Sequence, residues 1–153
     1  MAHRRTLTEA EVRDQPWSVW NAFVDLLAQS DAEDLDPRQR PAHLVFWYDS
    51  EVQNGGHFQY FENRGLSQVH DTVEALKLLG AHSQSEILSR SLKVASQRQW
   101  GEVASAEEFV SETLESDLCD FDAEYNECAP SVSDLLERHV TEHRDWYITI
   151  VAE

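Results

Sequence analysis

The chain of 153 residues lacks several sequence features, and each absence excludes a class of protein. It has no run of about eighteen apolar residues, so we expect no membrane span. Its N-terminal residues contain no apolar stretch, which argues against a secretory signal. It also lacks the glycine-rich phosphate and dinucleotide loops and the Gly-x-Ser-x-Gly motif of hydrolases. These absences argue against a membrane protein, a secreted protein, a nucleotide-binding protein and a serine hydrolase of the Gly-x-Ser-x-Gly class.

Cysteine is scarce, with only Cys119 and Cys128 in the whole chain. Cytoplasmic proteins keep such thiols reduced, so the sequence predicts a cytoplasmic protein with two free thiols. A disulfide between the two residues is the alternative interpretation. Two thiols alone do not make a structural zinc site, and the sequence predicts no cofactor.

Positive charge is the most marked shortage. The chain has 12 Lys and Arg against 29 Asp and Glu, which gives a net charge of −17. Residues 99–137 contain twelve Asp or Glu and no Lys or Arg, so most of the net charge comes from about a quarter of the chain. Direct nucleic-acid binding needs a basic face, and this composition excludes it. A content of 41% hydrophobic residues with five Trp argues against a disordered chain.

The most informative segment that is present is residues 46–65, FWYDSEVQNGGHFQYFENRG. Burial of its closely spaced aromatic rings predicts that it forms the centre of the core. Asn54-Gly55-Gly56 interrupts it, because glycine adopts angles that a regular helix does not. We therefore expect a helix ending at residues 52–53, a tight corner, and a second helix over His57–Glu62. Gly65 is the expected stop of that second helix.

Hydrophobic periodicity predicts helices through most of the remaining chain. The predicted apolar stripes are Trp17, Trp20, Val24 and Leu27; Val69, Val73 and Leu76; Ile87, Leu88, Ser91, Leu92 and Ala95; Val110, Leu114 and Leu118; and Leu135, Leu136, Val140 and Tyr147. Residues 31–41 contain two prolines and are expected to form a loop. Gly80 is a natural helix stop. Periodicity alone leaves residues 44–48 open between helix and strand, and it predicts a short strand or a docked end for residues 147–151.

Three helix starts are predicted from capping residues. Ser83 with Glu86 and Ser105 with Glu108 have the form of capping boxes. Ser133 is the expected N-cap of the last helix.

One face of the helix that Ser105 is expected to start is acidic. Glu108, Glu112 and Glu115 share this face, and the acidic run continues through residues 117–127. Like charges at this spacing repel one another and have no local cation to offset them. Helix stability therefore does not account for their placement.

Three further patterns have alternative interpretations. The free N–H groups of the Asn54-Gly55-Gly56 corner are suited to an anion, but a tight turn capped by the Asn54 side chain is favoured. His139, Glu142 and His143 match the His-x-x-Glu-His pattern of a zinc-peptidase class, although both histidines lie near the core face. Residues 120–124 resemble the start of a calcium loop but lack its glycine and its spaced glutamate.

The block EVQNGGHFQYFENRG resembles the motif of the DNA-mimic protein family, a family of bacterial domains. The matching residues are Glu51, Asn54, Gly55, Gly56, Phe58, Gln59, Tyr60, Phe61 and Asn63, followed by Gly80-Ala81 and an acidic segment over 120–125. The resemblance implies an all-α fold, a helix over residues 44–48, and an acidic protein that poses as DNA to a helix-turn-helix repressor. It also implies a homodimer.

These observations predict one compact all-α domain of about six or seven helices over residues 1–153, with its core in 17–147. The predicted function is non-enzymatic: an acidic interaction protein in transcription regulation that occupies the DNA-binding face of a basic DNA-binding protein. The residues expected to bind the partner are Glu107, Glu108, Glu112, Glu115, Asp117, Asp120, Asp122, Glu124 and Glu127. The alternatives are an immunity-type partner that binds by shape and a zinc hydrolase that uses His139, Glu142 and His143.

Overall fold

The computed structural model describes residues 3–97 and 117–153. These residues are mostly helical, which confirms the predicted all-α class, and they include seven α-helices and one two-stranded sheet. In chain order the elements are β1 (Arg5–Thr8), α1 (Glu9–Asp14), α2 (Ser18–Gln29), a 3₁₀ turn (Ala32–Asp34), α3 (Arg40–Arg64), α4 (Val69–Leu78), α5 (His82–Ser96), α6 (117–126 in its described part), α7 (Val132–Glu142), a second 3₁₀ turn (Arg144–Trp146) and β2 (Ile148–Val151). No helix in these ranges is long and apolar enough to cross a membrane.

Helix α3 is broken at the position that the sequence predicts. Gly55 (φ −153°, ψ 20°) and Gly56 (φ 76°, ψ −176°) have non-helical angles and divide α3 into two segments. We call the segment before the break α3N and the segment after it α3C. Gly65 ends α3C with a φ of 69°, as predicted. Residues 44–48 lie within α3N, so they are helical, as the family resemblance implies, and not a strand.

Five of the six Phe, Tyr and Trp residues of α3 lie in or against the core, as predicted from their spacing, and Trp47 is the exception. Tyr48, Tyr60 and Phe61 are buried, whereas Phe46 and Phe58 are partly buried against them. The rings of Tyr48 and Tyr60 meet edge to face with their centroids 4.9 Å apart. This geometry is favourable for aromatic pairs, so the two segments of α3 hold each other through their rings.

Helix α2 buries a face that differs from the predicted stripe. Phe23, Leu26 and Leu27 are fully buried, and the Phe23 ring meets Tyr147 edge to face at 4.8 Å. Trp17, which the stripe includes, is 60% exposed because it precedes the first residue of α2. The predicted stripe is therefore wrong at its N-terminal end.

The apolar stripes of α4, α5 and α7 are confirmed. Their buried members are Val69, Val73 and Leu76; Ile87, Leu88, Ser91 and Ala95; and Leu135, Leu136 and Val140. Tyr147, which the last predicted stripe includes, is buried but lies after the end of α7 at Glu142. Gly80 follows α4 with a φ of 88°, so the predicted stop is also correct. The stripe over Val110 and Leu114 lies outside the described residues, while Leu118 is buried in α6.

Two predicted capping positions are wrong. Helix α5 begins at His82, so Ser83 and Glu86 lie inside it and form no capping box. The N-cap of α7 is Ser131, which has an extended backbone (φ −73°, ψ 164°) and accepts a hydrogen bond from the first turn. Ser133 is already helical, and a capping residue must lie just outside the helix. The predicted box at Ser105 lies outside the described residues.

The predicted loop over residues 31–41 is shorter in the structure. It contains the 3₁₀ turn at Ala32–Asp34, and α3 already begins at Arg40. Pro41 lies in the first turn of α3, where a missing N–H breaks no intrahelical bond.

The tail after α7 forms a strand, which resolves the alternative left open by the sequence. β2 pairs in parallel with β1, and Arg5 lies opposite Ile148. The buried side chain of Gln39 donates from Nε2 to the carbonyl oxygens of His3 (2.7 Å) and Trp146 (2.6 Å). One buried amide from the start of α3 therefore fixes the residues before both strands. The sequence pattern predicted neither β1 nor this amide contact.

Candidate partner-binding surface

The predicted acidic residues divide into two groups. Glu107, Glu108, Glu112 and Glu115 lie outside the described residues. Asp117, Asp120, Asp122, Glu124 and Glu127 lie in α6 or directly after it.

Helix α6 has one buried face and one acidic face. Leu118 and Tyr125 are buried, and Phe121 packs partly against the core. Four exposed carboxylates follow one another at intervals of three or four residues, which places them on one side of a helix. These four residues, which we call the acidic row, are Asp117, Asp120, Glu124 and Glu127.

Asp122 does not belong to the acidic row, because its carboxylate turns into the protein. Its Oδ1 accepts hydrogen bonds from the backbone N–H of His57 (2.8 Å) and from the ring Nδ1 of His57 (2.7 Å). The His57 side chain is fully buried, and its Nε2 lies 2.6 Å from the hydroxyl of Tyr48. The Tyr48 hydroxyl and Asp122 therefore bind the two nitrogens of the same buried ring.

His57 was not identified as a functional residue from the sequence, although its position was visible. It directly follows the Asn54-Gly55-Gly56 corner and begins α3C, where backbone N–H groups lack helical partners. The sequence favoured the Asn54 side chain as the cap of this segment. That prediction is wrong, because Asn54 is exposed and the carboxylate of Asp122 accepts from the first N–H of α3C. The anion at this helix start is thus an internal side chain.

A second hydrogen bond joins α6 to α3 in the opposite direction. Tyr125 of α6 donates its hydroxyl to Oδ1 of Asp49 in α3N at 2.5 Å. Burial raises the pKa of Asp49, and hydrogen bonds from Tyr125 and Gln53 partly offset this effect. Burial, followed by the nearby negative charge of Asp49, raises the pKa of Tyr125, so the phenol stays protonated and remains a donor.

Glu124 of the acidic row pairs with a cation. Arg90 of α5 binds it through two hydrogen bonds, Nη2 to Oε1 at 2.8 Å and Nη1 to Oε2 at 3.2 Å. These hydrogen bonds lower the pKa of Glu124. Asp120 and Glu127 are exposed, and their side chains make no hydrogen bond or ion pair to the residues that the structure describes.

The remaining motif residues hold α3N and α3C together across the break. Glu51 in α3N accepts from Gln59 Nε2 (3.0 Å) and Asn63 Nδ2 (2.8 Å), both in α3C. Arg64 lies 3.8 Å from the other carboxylate oxygen of Glu51, and its guanidinium lies 4.1 Å from the centre of the Trp47 ring. One acid, Glu51, thus bridges the break and two amides bind it.

The two glycines of the motif are required by close contacts. A Cβ on Gly55 would lie 2.1 Å from Oε1 of Gln59, and a Cβ on Gly56 would lie 2.3 Å from Oδ2 of Asp122. Gly56 also has a positive φ that other residues rarely adopt. The break in α3 and the approach of α6 thus depend on the same two positions.

The His-x-x-Glu-His pattern forms aromatic contacts in the structure. Nε2 of His139 lies 2.6 Å from the hydroxyl of Tyr147, and the ring of His143 stacks on Trp146 with centroids 4.0 Å apart. Burial, followed by the charge of His143, lowers the pKa of His139 to about 4. Within residues 3–97 and 117–153, no group of three or more His, Cys, Asp or Glu side chains is placed to hold a metal ion.

The two cysteines and the calcium-loop-like residues lie in α6 or just after it. Cys119 is exposed, Cys128 is partly buried, and both are free thiols, as predicted. Burial raises the pKa of the Cys128 thiol, and the charges of Glu124 and Glu127 add to this effect. Residues 120–124 are helical, so they do not form the calcium loop that their sequence resembles.

The fold and this surface define a strongly acidic, mostly helical protein with an exposed row of carboxylates. The sequence model of the DMP19-like protein family matches residues 33–143, from the loop before α3 to the end of α7. The chain therefore belongs to the DMP19-like protein family, which is a family of DNA mimics. Searches of curated proteins and of solved structures find no match to the chain.

Proposed function

We propose that this protein is a non-enzymatic DNA mimic that occupies the DNA-binding face of a basic transcription regulator or of another nucleic-acid-binding protein. Membership of the DMP19-like family supports the proposal. The observation that carries it in this chain is the acidic row on α6, which follows the predicted acidic residues Glu107, Glu108, Glu112 and Glu115 in the sequence.

The distribution of positive charge supports the same function. Six of the arginine and lysine side chains pair with acids nearby in the structure. The pairs are Arg5–Asp25, Arg13–Asp14, Arg38–Asp36, Arg64–Glu51, Lys77–Glu74 and Arg90–Glu124. These cations are therefore engaged by local acids, and the chain as a whole carries a net charge of −17. Such a field attracts a basic partner and accelerates its association.

The spacing of the acidic row suits an imitation of one DNA strand. Side chains three or four residues apart on a helix have Cβ atoms about 5–6 Å apart. Duplex DNA carries one negative charge per about 1.7 Å of axis, or one per about 3.4 Å on each strand. The row is thus a sparser series of charges of the same sign. Several carboxylates must act together, so a single substitution is expected to weaken binding only slightly.

The test is capture of partners from an extract of the source cells with two matched baits. The mimic variant carries Glu107→Gln, Glu108→Gln, Glu112→Gln, Glu115→Gln, Asp120→Asn and Glu127→Gln. The control variant removes the same number of charges elsewhere, through Glu9→Gln, Glu33→Gln, Asp34→Asn, Glu62→Gln, Asp71→Asn and Glu153→Gln. Both variants have the same net charge, so a difference between them reports the position of the charges.

We expect the wild type and the control variant to capture a basic DNA-binding protein that the mimic variant does not capture. High salt and added duplex DNA should both release this protein, because screening weakens exposed charges and DNA competes for the same face. Equal capture by all three baits in high salt would reject the proposal. It would favour the second candidate, an immunity-type partner that binds by shape, for which the exposed ring of Trp17 is a suitable anchor.

The proposal also includes the location, the domain organisation and the oligomeric state of the protein. We expect the protein to work in the cytoplasm, to form one domain over residues 1–153, and to form a homodimer that doubles the acidic surface. Light scattering of the purified protein measures the last of these directly.

A further inference from the structure

We infer that Asp122 and Tyr125 are positioning residues, which fix α6 on α3 so that the acidic row faces outward. We call the two contacts Asp122–His57 and Tyr125–Asp49 the α3–α6 latch. The consequence for partner binding depends on the proposed function, whereas the latch itself does not. This inference gives Asp122 an internal role in place of the surface role that the sequence predicts.

The latch is reciprocal. α6 supplies the carboxylate of Asp122 to two N–H donors of His57, at 2.8 and 2.7 Å. α3 supplies the carboxylate of Asp49 to the hydroxyl of Tyr125, at 2.5 Å. Each helix is thus the donor in one contact and the acceptor in the other. Neither contact forms if α6 turns about its own axis, because both depend on side chains that point from α6 toward α3.

Burial makes the latch specific. His57 is fully buried and its other ring nitrogen is bound by Tyr48, so loss of Asp122 would leave buried N–H donors without their acceptor. Tyr125 is buried as well, with its ring edge to face against Tyr48 at 5.5 Å. Asp122 keeps part of its surface exposed, so it lies where the core meets solvent.

The position of the latch along α6 determines what the helix presents to solvent. Asp122 and Tyr125 are three residues apart and lie on the inward side with Leu118. Asp120 and Glu127 lie on the opposite, exposed side. A rotation of α6 by one residue amounts to about 100° and would turn the acidic row toward the core. The latch therefore sets the direction in which these charges face.

The latch is tested with variants that separate hydrogen bonding from charge. Asp122→Ala removes the acceptor, whereas Asp122→Asn removes the charge and keeps an acceptor oxygen. Asp120→Ala and Asp120→Asn are the matched controls on the exposed side of the same helix. Hydrogen exchange of the amides in residues 117–126 reports the docking of α6 and needs no partner. Nuclear magnetic resonance of the His57 ring reports the Nδ1 proton that Asp122 binds.

We expect Asp122→Ala to accelerate exchange of these amides at least tenfold and to abolish the low-field Nδ1 signal of His57. Alanine favours helix, so the acceleration would not come from helix propensity. Asp122→Asn should restore most of the protection, and both Asp120 variants should behave as wild type. If Asp122→Ala does not fold, Tyr125→Phe tests the other half of the latch, and we expect the same tenfold change in α6. Unchanged exchange in Asp122→Ala, or in Tyr125→Phe when it is the variant that folds, would overturn the inference.

Binding to the basic protein captured above is the functional part of the test. A positioning role predicts that Asp122→Ala weakens binding more than Asp120→Ala does, and that Asp122→Asn restores it to the level of Asp120→Asn. A direct charge contact predicts instead that Asp122→Asn and Asp122→Ala are equally weak, with unchanged exchange in α6. If no basic protein is captured, the proposed function fails while the exchange result still decides whether the latch exists.

Discussion

Substitution of Gly56 by alanine tests the link between the break in α3 and the docking of α6. Gly56 has a φ of 76° and a ψ of −176°, a region almost restricted to glycine, and forcing another residue into it costs about 1–3 kcal/mol. The new Cβ would also lie 2.3 Å from Oδ2 of Asp122. Moving Asp122 away leaves the buried donors of His57 without an acceptor, which costs about 1–3 kcal/mol more. We expect Gly56→Ala to lower the free energy of unfolding by about 2–6 kcal/mol in total.

Gly65→Ala is the matched control for this substitution. Gly65 has similar angles (φ 69°, ψ −164°), but a Cβ there would have no atom within 4 Å. It therefore carries the backbone strain without the collision, and we expect a loss of about 1–3 kcal/mol. Urea unfolding at pH 7, followed by tryptophan fluorescence and circular dichroism, measures both variants. Equal losses for Gly56→Ala and Gly65→Ala would refute the claim that Asp122 depends on the glycine.

Two further predictions concern the core polar contacts. Because the pKa of His139 is lowered to about 4, the folded state resists its protonation, and stability that is present above about pH 6.5 is lost as the pH falls toward 4. Allowing for the partial exposure of His139, we expect this residue to account for a loss of about 2 kcal/mol of unfolding free energy between pH 7 and pH 4.5. The His139→Gln variant should therefore lose less stability over this range than the wild type. A variant with the same pH profile as the wild type would contradict the prediction. Glu51→Ala removes the acceptor of two amides and should cost about 2 kcal/mol in urea unfolding, whereas the exposed control Glu62→Ala should cost less than about 0.5 kcal/mol. A similar effect of both alanines would show that the bridge across the break contributes little.

The aromatic block was the part of the fold that the sequence predicted best. The six rings and the Asn54-Gly55-Gly56 break are local signals, since periodicity and glycine angles depend on neighbouring residues. The same reasoning gave the stripes of α4, α5 and α7 and the stop at Gly80. The same reasoning was wrong at Trp17, because hydrophobic periodicity does not define the first residue of a helix. Helix α2 begins after Trp17, and the Trp17 ring is exposed to solvent.

Contacts between residues distant in sequence were beyond such reasoning. Asp122 lies 65 positions from His57, and nothing in either local sequence indicates the other. The pairing of β1 with β2 joins the two ends of the chain, so neither strand has a sequence neighbour that predicts it. Composition identified the acidic segment, but composition does not separate a carboxylate that faces solvent from one that turns inward. Asp120 and Asp122 are the same residue type only two positions apart, yet the Asp120 side chain faces solvent and the Asp122 carboxylate faces His57.

The most direct test of the central claim is a competition measurement with the basic DNA-binding protein captured from the extract. Its complex with labelled duplex DNA is titrated with the wild-type protein and with the two charge variants at several salt concentrations. Mimicry predicts that the wild type and the control variant displace the DNA completely, that the mimic variant does not, and that affinity falls steeply with salt. A complex that holds both the DNA and this protein at once would contradict the claim, because the two ligands would then occupy different faces.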